Sequence, residues 1–328
     1  MGTGEKRPEN EITAMMSPLE QRMKDKKWKL VNKERIHGAH AGQIFRVLVD
    51  EGDNRKDSYV YKEFADGREN EVELYLKIPV QMNRFGVIED VWDEKPKAML
   101  MKDLASPLKG SFSLLSFKEK KNVLQEILQR LSDLHTSDLP EKDMEIHTLS
   151  FEWKTWCVEE LTKICERYQW ASRQWIDVIE EIDKGRSAGK KRLKCPLVLT
   201  HGDPHMENVF RYKGEICFID WEWAALGSPL RDLTILMQDL YDVELIQYAT
   251  QGYRSMLKSK NLFIEKEDYQ SDFTLLYLAH TTMMLAWEIH KFFKGYLTEA
   301  DIQRIIEFKI GEIRRVASER PDDTDPKE

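Results

Sequence analysis

The chain has 328 residues, 41% of them hydrophobic and 33% charged, and a formal net charge of −8 at pH 7. That length provides core for one large domain or two lobes. The composition excludes a disordered chain, and the acidic balance argues against wholesale nucleic-acid binding.

No apolar run approaches the length of a membrane span, and Met1-Gly2-Thr3-Gly4-Glu5-Lys6 does not read as a signal peptide. Lys6 stands where a myristoylation motif needs Ser or Thr. Residues 1–25 are polar, with a short helix after Pro18. Strand patterns follow at 28–31, 43–49 and 58–64, with Gly52-Asp53-Asn54 turning between the last two. Residues 69–78 have helical spacing, with Val72, Leu74, Tyr75 and Ile78 apolar, and two more strands are expected at 86–92 and 97–101. Strands with one intervening helix make a small α+β lobe. Beyond Asp103 the chain turns helical: 116–135 carries the stripe Val123, Ile127, Leu128, Leu131 and Leu134. A longer, Trp-rich helical stretch is expected over 152–183. Residues 184–191 are a basic connection whose glycines and lysines lack P-loop spacing. A strand at 196–200 leads to His201, residues 231–315 read as helical almost throughout, and 318–328 is a charged tail expected to be disordered. The organisation read from this order is a polar segment 1–25, an N-lobe 26–104, a helical C-lobe 105–317 and the tail 318–328. Cys157, Cys165, Cys195 and Cys217 form no Cys-x-x-Cys pair and read as free thiols, which fits a reducing cytoplasm.

The stretch richest in chemistry is His201-Gly202-Asp203-Pro204-His205-Met206-Glu207-Asn208. After it come Val209-Phe210-Arg211-Tyr212 and Glu215-Ile216-Cys217-Phe218-Ile219, joined by Lys213-Gly214. Two short strands across so tight a turn make a β-hairpin. Asn208 then precedes the first strand and Asp220 follows the second, so antiparallel pairing brings an amide oxygen and a carboxylate to one end. Such hard oxygen ligands suit Mg²⁺, which shares its remaining positions with phosphates. Asp203, on the loop entering the hairpin, is within reach of a hydroxyl aimed at the same phosphate.

An Asp and an Asn five positions apart, then a hairpin and another Asp, match the catalytic and metal-binding loops of the protein-kinase template. Here His-Gly-Asp replaces His-Arg-Asp, and Ile219-Asp220-Trp221-Glu222 replaces Asp-Phe-Gly. With Gly227-Ser228-Pro229-Leu230-Arg231-Asp232-Leu233 beyond, the sequence resembles the aminoglycoside phosphotransferase family, which includes choline-kinase-like enzymes. The resemblance implies a bilobal, protein-kinase-like α+β fold with a strand-rich N-lobe and a larger helical C-lobe. It implies ATP-dependent transfer of the γ-phosphoryl group to a hydroxyl of a small molecule: an aminoglycoside-like antibiotic, an amino alcohol or an amino acid. Asp203 would be the base, and Asn208 and Asp220 the Mg²⁺ ligands. The alternative is a non-catalytic kinase-fold binding or coat protein, which loss of the base or of a metal ligand would favour. His-Gly-Asp and the lack of an Asp-Phe-Gly/Ala-Pro-Glu segment disfavour a protein kinase.

The same template needs a strand lysine on the nucleotide phosphates and a helical glutamate to hold it. Lys62 fills the first place and Glu71 the second, with Glu73 in reserve. The turn His37-Gly38-Ala39-His40-Ala41-Gly42 is expected to cover the phosphates, using Gly38 and Gly42. Met99-Leu100-Met101-Lys102-Asp103-Leu104 resembles the family's hinge, putting Met101, Lys102 and Leu104 at the purine. Main-chain recognition of this kind does not separate ATP from GTP. His201 and Asp232 are expected to organise loops. Acceptor recognition falls to the C-lobe, around 153–175 and 287–290, whose acidic groups would suit a cationic acceptor. Neither nucleic acid nor membrane is expected as a partner.

Overall fold

The computed structural model describes residues 16–36, 42–140, 143–150, 152–182 and 193–318. Expectations for residues 1–15, for the turn at 37–41 with Gly38, for the basic connection at 184–191 and for the tail from 319 lie outside the described residues. The chain divides into two compact units, Met1–Val72 with Ile88–Asp103, and Glu73–Val87 with Leu104–Glu328.

In the first unit, helix α1 (Pro18–Asp25) precedes strands β1 (Lys29–Ile36), β2 (Gln43–Asp50) and β3 (Lys56–Glu63). Helix α2 (Asn70–Lys77) begins in this unit and ends in the second. Helix α3 (Pro79–Phe85) belongs to the second unit, and β4 (Ile88–Trp92) and β5 (Ala98–Lys102) return to the first. The five strands form one antiparallel sheet in the order β1-β2-β3-β5-β4. Period-two alternation puts Val47 and Val49, Tyr59 and Tyr61, and Ala98 and Leu100 on one face, where Leu19 and Met23 of α1 cover them. Each large side chain so buried stabilises the unit by roughly 1.5–3 kcal/mol. Pro18 and a reciprocal Ser17–Glu20 capping box start α1. Its Arg22 guanidinium is buried against the Tyr61 hydroxyl and the carbonyls of Glu94 and Pro96. Gly52, Asp53 and Asn54 all adopt positive φ in the β2–β3 turn, as their residue types allow.

Helix α3 is a departure from the sequence reading, which ran one helix to 78 and began a strand at 86. Proline has no N–H to continue a helix but suits a first turn, so Pro79 starts a new one. Gly86 then donates its N–H to Met82 O at 2.8 Å, ending α3 and delaying β4 to Ile88.

The second unit continues with α4 (Leu108–Ser113), α5 (Phe117–His135), α6 (Trp153–Arg167) and α7 (Gln174–Glu181). A Ser116–Glu119 capping box opens α5, and Leu124, Ile127, Leu128, Leu131 and Leu134 form its buried stripe. The long helical stretch expected over 152–183 is in fact two helices. Tyr168 is extended (φ −125°, ψ 124°), and its ring packs on Trp170 and Phe292. Ser172 Oγ then accepts the N–H of Gln174 at 3.3 Å, which begins α7. Aromatic packing of the connecting turn thus overrides local helix propensity.

Strand β6 (Val198–Thr200) pairs with β9 (Ala225–Gly227), and between them β7 (Val209–Tyr212) and β8 (Glu215–Phe218) form the expected hairpin. Its turn residues Lys213 and Gly214 both have positive φ, as a two-residue hairpin turn requires. Helix α8 (Leu230–Leu236), a 3₁₀ turn (Met237–Asp239), α9 (Val243–Ser259), α10 (Lys266–Phe293) and α11 (Glu299–Ser318) complete the unit. The 28-residue α10 is buried on several sides and packs on α6, α8 and α11, which explains its weakly amphipathic sequence. Among the described residues no helix is long and apolar enough to cross a membrane. The four cysteines are free.

Candidate active site

Strand β6 ends at Thr200, and the chain then turns through His201 and Gly202. Gly202 has φ +91°, and a Cβ there would lie 2.1 Å from the Trp223 carbonyl oxygen, so this position admits only glycine. The close approach accounts for His-Gly-Asp where a protein kinase has His-Arg-Asp. Behind it, Asp232 of α8 is wholly buried and accepts the N–H groups of His201 (2.7 Å) and Gly202 (2.8 Å). Its Oδ2 also lies 2.9 Å from His135 Nε2, and Tyr253 holds the other nitrogen of that imidazole. Burial raises the pKa of this carboxyl, but the His135 hydrogen bond and the electrostatic influence of His135, His201 and Arg231 outweigh it, leaving Asp232 at about 2. It therefore stays an acceptor for the loop's backbone at any ordinary pH.

The loop carries Asp203 and ends at Asn208. The Asn208 amide donates through Nδ2 to the Asp203 carbonyl (3.0 Å) and carboxylate (3.3 Å), which turns its Oδ1 away from Asp203. The Asn208 carbonyl accepts the N–H of Ile219 at 3.1 Å, so the two ends of the β7–β8 hairpin are bonded side by side. Asp220 follows at once, in a left-handed conformation (φ 64°) that aspartate tolerates better than most residues. One neutral amide oxygen and one carboxylate at a hairpin mouth fit Mg²⁺, which takes few protein ligands and keeps the rest for phosphates and water. Among the described residues no cluster of three His, Cys, Asp or Glu forms an all-protein metal cage. His205 Nε2 lies 3.4 Å from the Asp203 carboxylate. Burial pushes His205 down, but hydrogen bonding to Asp203 and the charges of Asp203, Asp239 and Glu207 win, and its pKa is raised.

Within the first unit, Lys62 on β3 has its Nζ 2.7 Å from Glu71 Oε2, with both side chains largely buried. Glu71, preferred from the sequence over Glu73, is thus within ion-pair distance of Lys62. Gly42 immediately precedes β2, where a Cβ would lie 2.9 Å from Ala65 N, so the backbones pass too closely for a side chain. Met101 and Lys102 end β5, with Met101 paired to Val60 on one side and Ile88 on the other. The Lys102 ammonium is held by Asp57 (3.1 Å), Glu89 (3.4 Å) and the Tyr59 hydroxyl (2.7 Å), so its side chain is engaged within the first unit. Leu104 is the first residue of the second unit after β5.

The two regions expected to recognise an acceptor pack together as α6 and α10. Trp156 lies 5.8 Å from Trp153, 6.3 Å from Trp287 and 6.0 Å from His290, measured between ring centroids. Trp153 and Trp287 are 44% and 42% exposed, so the cluster opens to solvent. At its base Glu160 is buried; its Oε1 takes Trp156 Nε1 (3.2 Å) and Lys163 Nζ (2.7 Å), while its Oε2 has no hydrogen-bond partner. Lys291, the next residue along α10, bears electrostatically on Glu207 of the loop between Asp203 and Asn208. Sequence reasoning missed His135, Asp239, Lys109 and Lys309. His135 stood in a helical stripe as an ordinary terminal residue, and the other three carry no motif.

The family model described as phosphotransferase enzyme family matches residues 37–259. Among curated proteins none matches this chain. The choline kinase from Streptococcus pneumoniae is similar in structure with a TM-score of 0.55 and 15% identity, covering 90% of this chain and 98% of that one. A spectinomycin phosphotransferase solved with ADP and spectinomycin gives a TM-score of 0.57 and 14% identity, covering 91% and 97%. The choline kinase from Cryptosporidium parvum gives 0.55 and 13%, covering 87% and 88%. At these identities the likeness establishes the fold: kinase-like, mixed α+β, with a five-stranded antiparallel sheet and a helical C-terminal region.

Proposed function

Because the chain belongs to the phosphotransferase enzyme family, we propose that it transfers the γ-phosphoryl group of ATP to a hydroxyl of a small cationic acceptor, with Mg²⁺. The observation that carries this reading is the joining of Asp203, Asn208 and the residue before Asp220 by direct hydrogen bonds at one hairpin mouth. Asp203 orients the acceptor hydroxyl and takes its proton as the oxygen attacks the γ-phosphorus and ADP leaves. A base of this kind contributes about 10²–10⁴-fold. Asn208 and Asp220 would hold Mg²⁺, which supplies charge neutralisation on the phosphate oxygens when bound. Lys62, fixed by Glu71, donates to the α- and β-phosphates. In a loose transition state, positioning and charge do most of the work.

The cationic class rests on the open cluster of Trp153, Trp156, Trp287 and His290 over the Glu160 carboxylate. Aromatic faces attract a desolvated ammonium by about 2 kcal/mol, and the unbonded Glu160 oxygen is a buried acceptor in need of a donor. The test is ADP release by purified protein with MgATP across amino alcohols, amino sugars, amino acids and uncharged polyols, with Asp203→Asn as control. Acceptor-stimulated turnover confined to cations and lost in Asp203→Asn is the expected result. Turnover retained in Asp203→Asn would overturn the base, and a preference for uncharged polyols would overturn the acceptor class.

A further inference from the structure

Lys309 of α11 is 3% exposed. Its Nζ donates to Gln238 Oε1 at 3.0 Å and to the Gln238 carbonyl at 3.3 Å, both neutral groups, and lies 5.3 Å from the Tyr241 ring centroid. The acids nearest in charge are committed elsewhere: Glu288 pairs with Lys291 at 2.9 Å, and Asp239 lies 3.3 Å from Lys109. An ammonium taken out of water without its own carboxylate costs several kcal/mol. A methionine would fill the same space without that cost, so packing does not account for the amine.

What the amine touches does. Gln238 is fixed at its far end, its Nε2 donating to Thr234 O (3.0 Å) and Thr281 Oγ1 (3.1 Å). The next residue, Asp239, accepts the Met206 N–H at 2.7 Å. Lys109 completes the clasp: its N–H bonds the Met206 carbonyl at 3.3 Å and its ammonium bridges Asp239 and Glu207, the latter at 2.9 Å. Met206 lies midway between Asp203 and Asn208, so both backbone groups at the centre of that loop are held from this side.

We propose that Lys309 is a positioning residue for the loop that carries Asp203 and Asn208: its ammonium fixes Gln238, and through the same turn fixes Asp239 on the Met206 amide. The loop's catalytic role rests on the function proposed above, whereas the hydrogen-bond chain does not. The groups facing the amine are Glu288 and Lys291 from α10, Asp239 from the 3₁₀ turn, Lys109 from α4 and the Tyr241 ring. Burial pushes the amine down, Glu288 and Asp239 pull it back, and Lys109 and Lys291 push it down further, leaving it at about 8. A neutral amine is the weaker donor, so the clasp loosens as pH rises through that value.

The experiment is amide hydrogen exchange on the full chain without ligand, from pH 7 to 9, corrected for intrinsic rates. It compares Met206 with His201, which Asp232 holds from the other side. In the wild type, Met206 protection should fall about tenfold with a midpoint near pH 8 while His201 stays constant. In Lys309→Met, Met206 should exchange at the low-protection level already at pH 7, without a pH step. The wild-type titration needs no substitution and decides the matter if that variant does not fold. Met206 protection that is flat with pH, or a step shared equally by His201, would overturn the proposal. With a validated acceptor, Lys309→Met should lower kcat about tenfold and leave KM for MgATP unchanged; equal loss in both would also count against it. Absence of any phosphoryl transfer would defeat the functional reading and leave the exchange result standing.

Discussion

Replacing Asp232 by Asn tests whether the candidate loop is held electrostatically from behind. The carboxyl is depressed from 3.8 to about 2 in the folded chain. At about 1.36 kcal/mol per pKa unit, that is roughly 2.5 kcal/mol of stability from the ionised form. The depressed carboxylate contributes fully above its unfolded value near 3.8, and the contribution fades as pH falls towards 2. Asparagine removes the charge and presents one acceptor oxygen to three donors: His201 N–H, Gly202 N–H and His135 Nε2. A buried donor left without a partner costs a further 1–3 kcal/mol or so. The expected loss at pH 7 is therefore about 3.5–5.5 kcal/mol, shrinking by about 1.4 kcal/mol as pH falls from 4 to 2.5. With two compact units a single unfolding free energy is ill-defined, so the second unit should be followed by its own transition. Seven of the nine tryptophans serve, since only Trp28 and Trp92 lie in the first unit. Urea unfolding by tryptophan fluorescence at several pH values gives the difference directly. A loss below about 1 kcal/mol at pH 7, or one that does not change with acid, would refute the reasoning.

Asp220→Ala should weaken Mg²⁺-dependent ATP binding more than Asn208→Ala, because it removes an anion as well as a ligand; calorimetric titration of MgATP into both variants checks the order. Gly202→Ala should cost about 1–3 kcal/mol and abolish turnover, since the loop must move off the Trp223 carbonyl; a variant with wild-type unfolding and activity would contradict this. Lys309→Met should be more stable than the wild type at pH 7 by up to about 3 kcal/mol. The folded-state pKa of Lys309, about 8, lies below its ordinary 10.5, so the charging penalty is whole below pH 8 and vanishes towards 10.5. The gap in urea midpoints between Lys309→Met and wild type should therefore close as pH rises.

Much of the site's local geometry was legible because it is local. A two-residue Lys-Gly turn between alternating strands specifies a hairpin, and a hairpin brings the residues at its ends together. The departures share a cause. Pro79 breaks a helix by its own chemistry, yet whether a new one follows depends on what the chain packs against, and the break between α6 and α7 is made by the rings of Tyr168, Trp170 and Phe292. Glu71 was preferred over Glu73 from the spacing of its helix, and its carboxylate lies 2.7 Å from Lys62 Nζ.

By itself, then, the sequence determined the five strands of the first unit, the β7–β8 hairpin with its turn chemistry, and the glycine between His201 and Asp203, because these are set by covalent geometry and by neighbours a few residues away. Only the tertiary structure decided that His135 and Asp232, 97 positions apart, share a hydrogen bond under the loop, and that Lys309 reaches Gln238 across 71 positions. Such contacts leave no pattern in the chain: the burial that makes each polar group consequential comes from packing, and packing is fixed by every element at once.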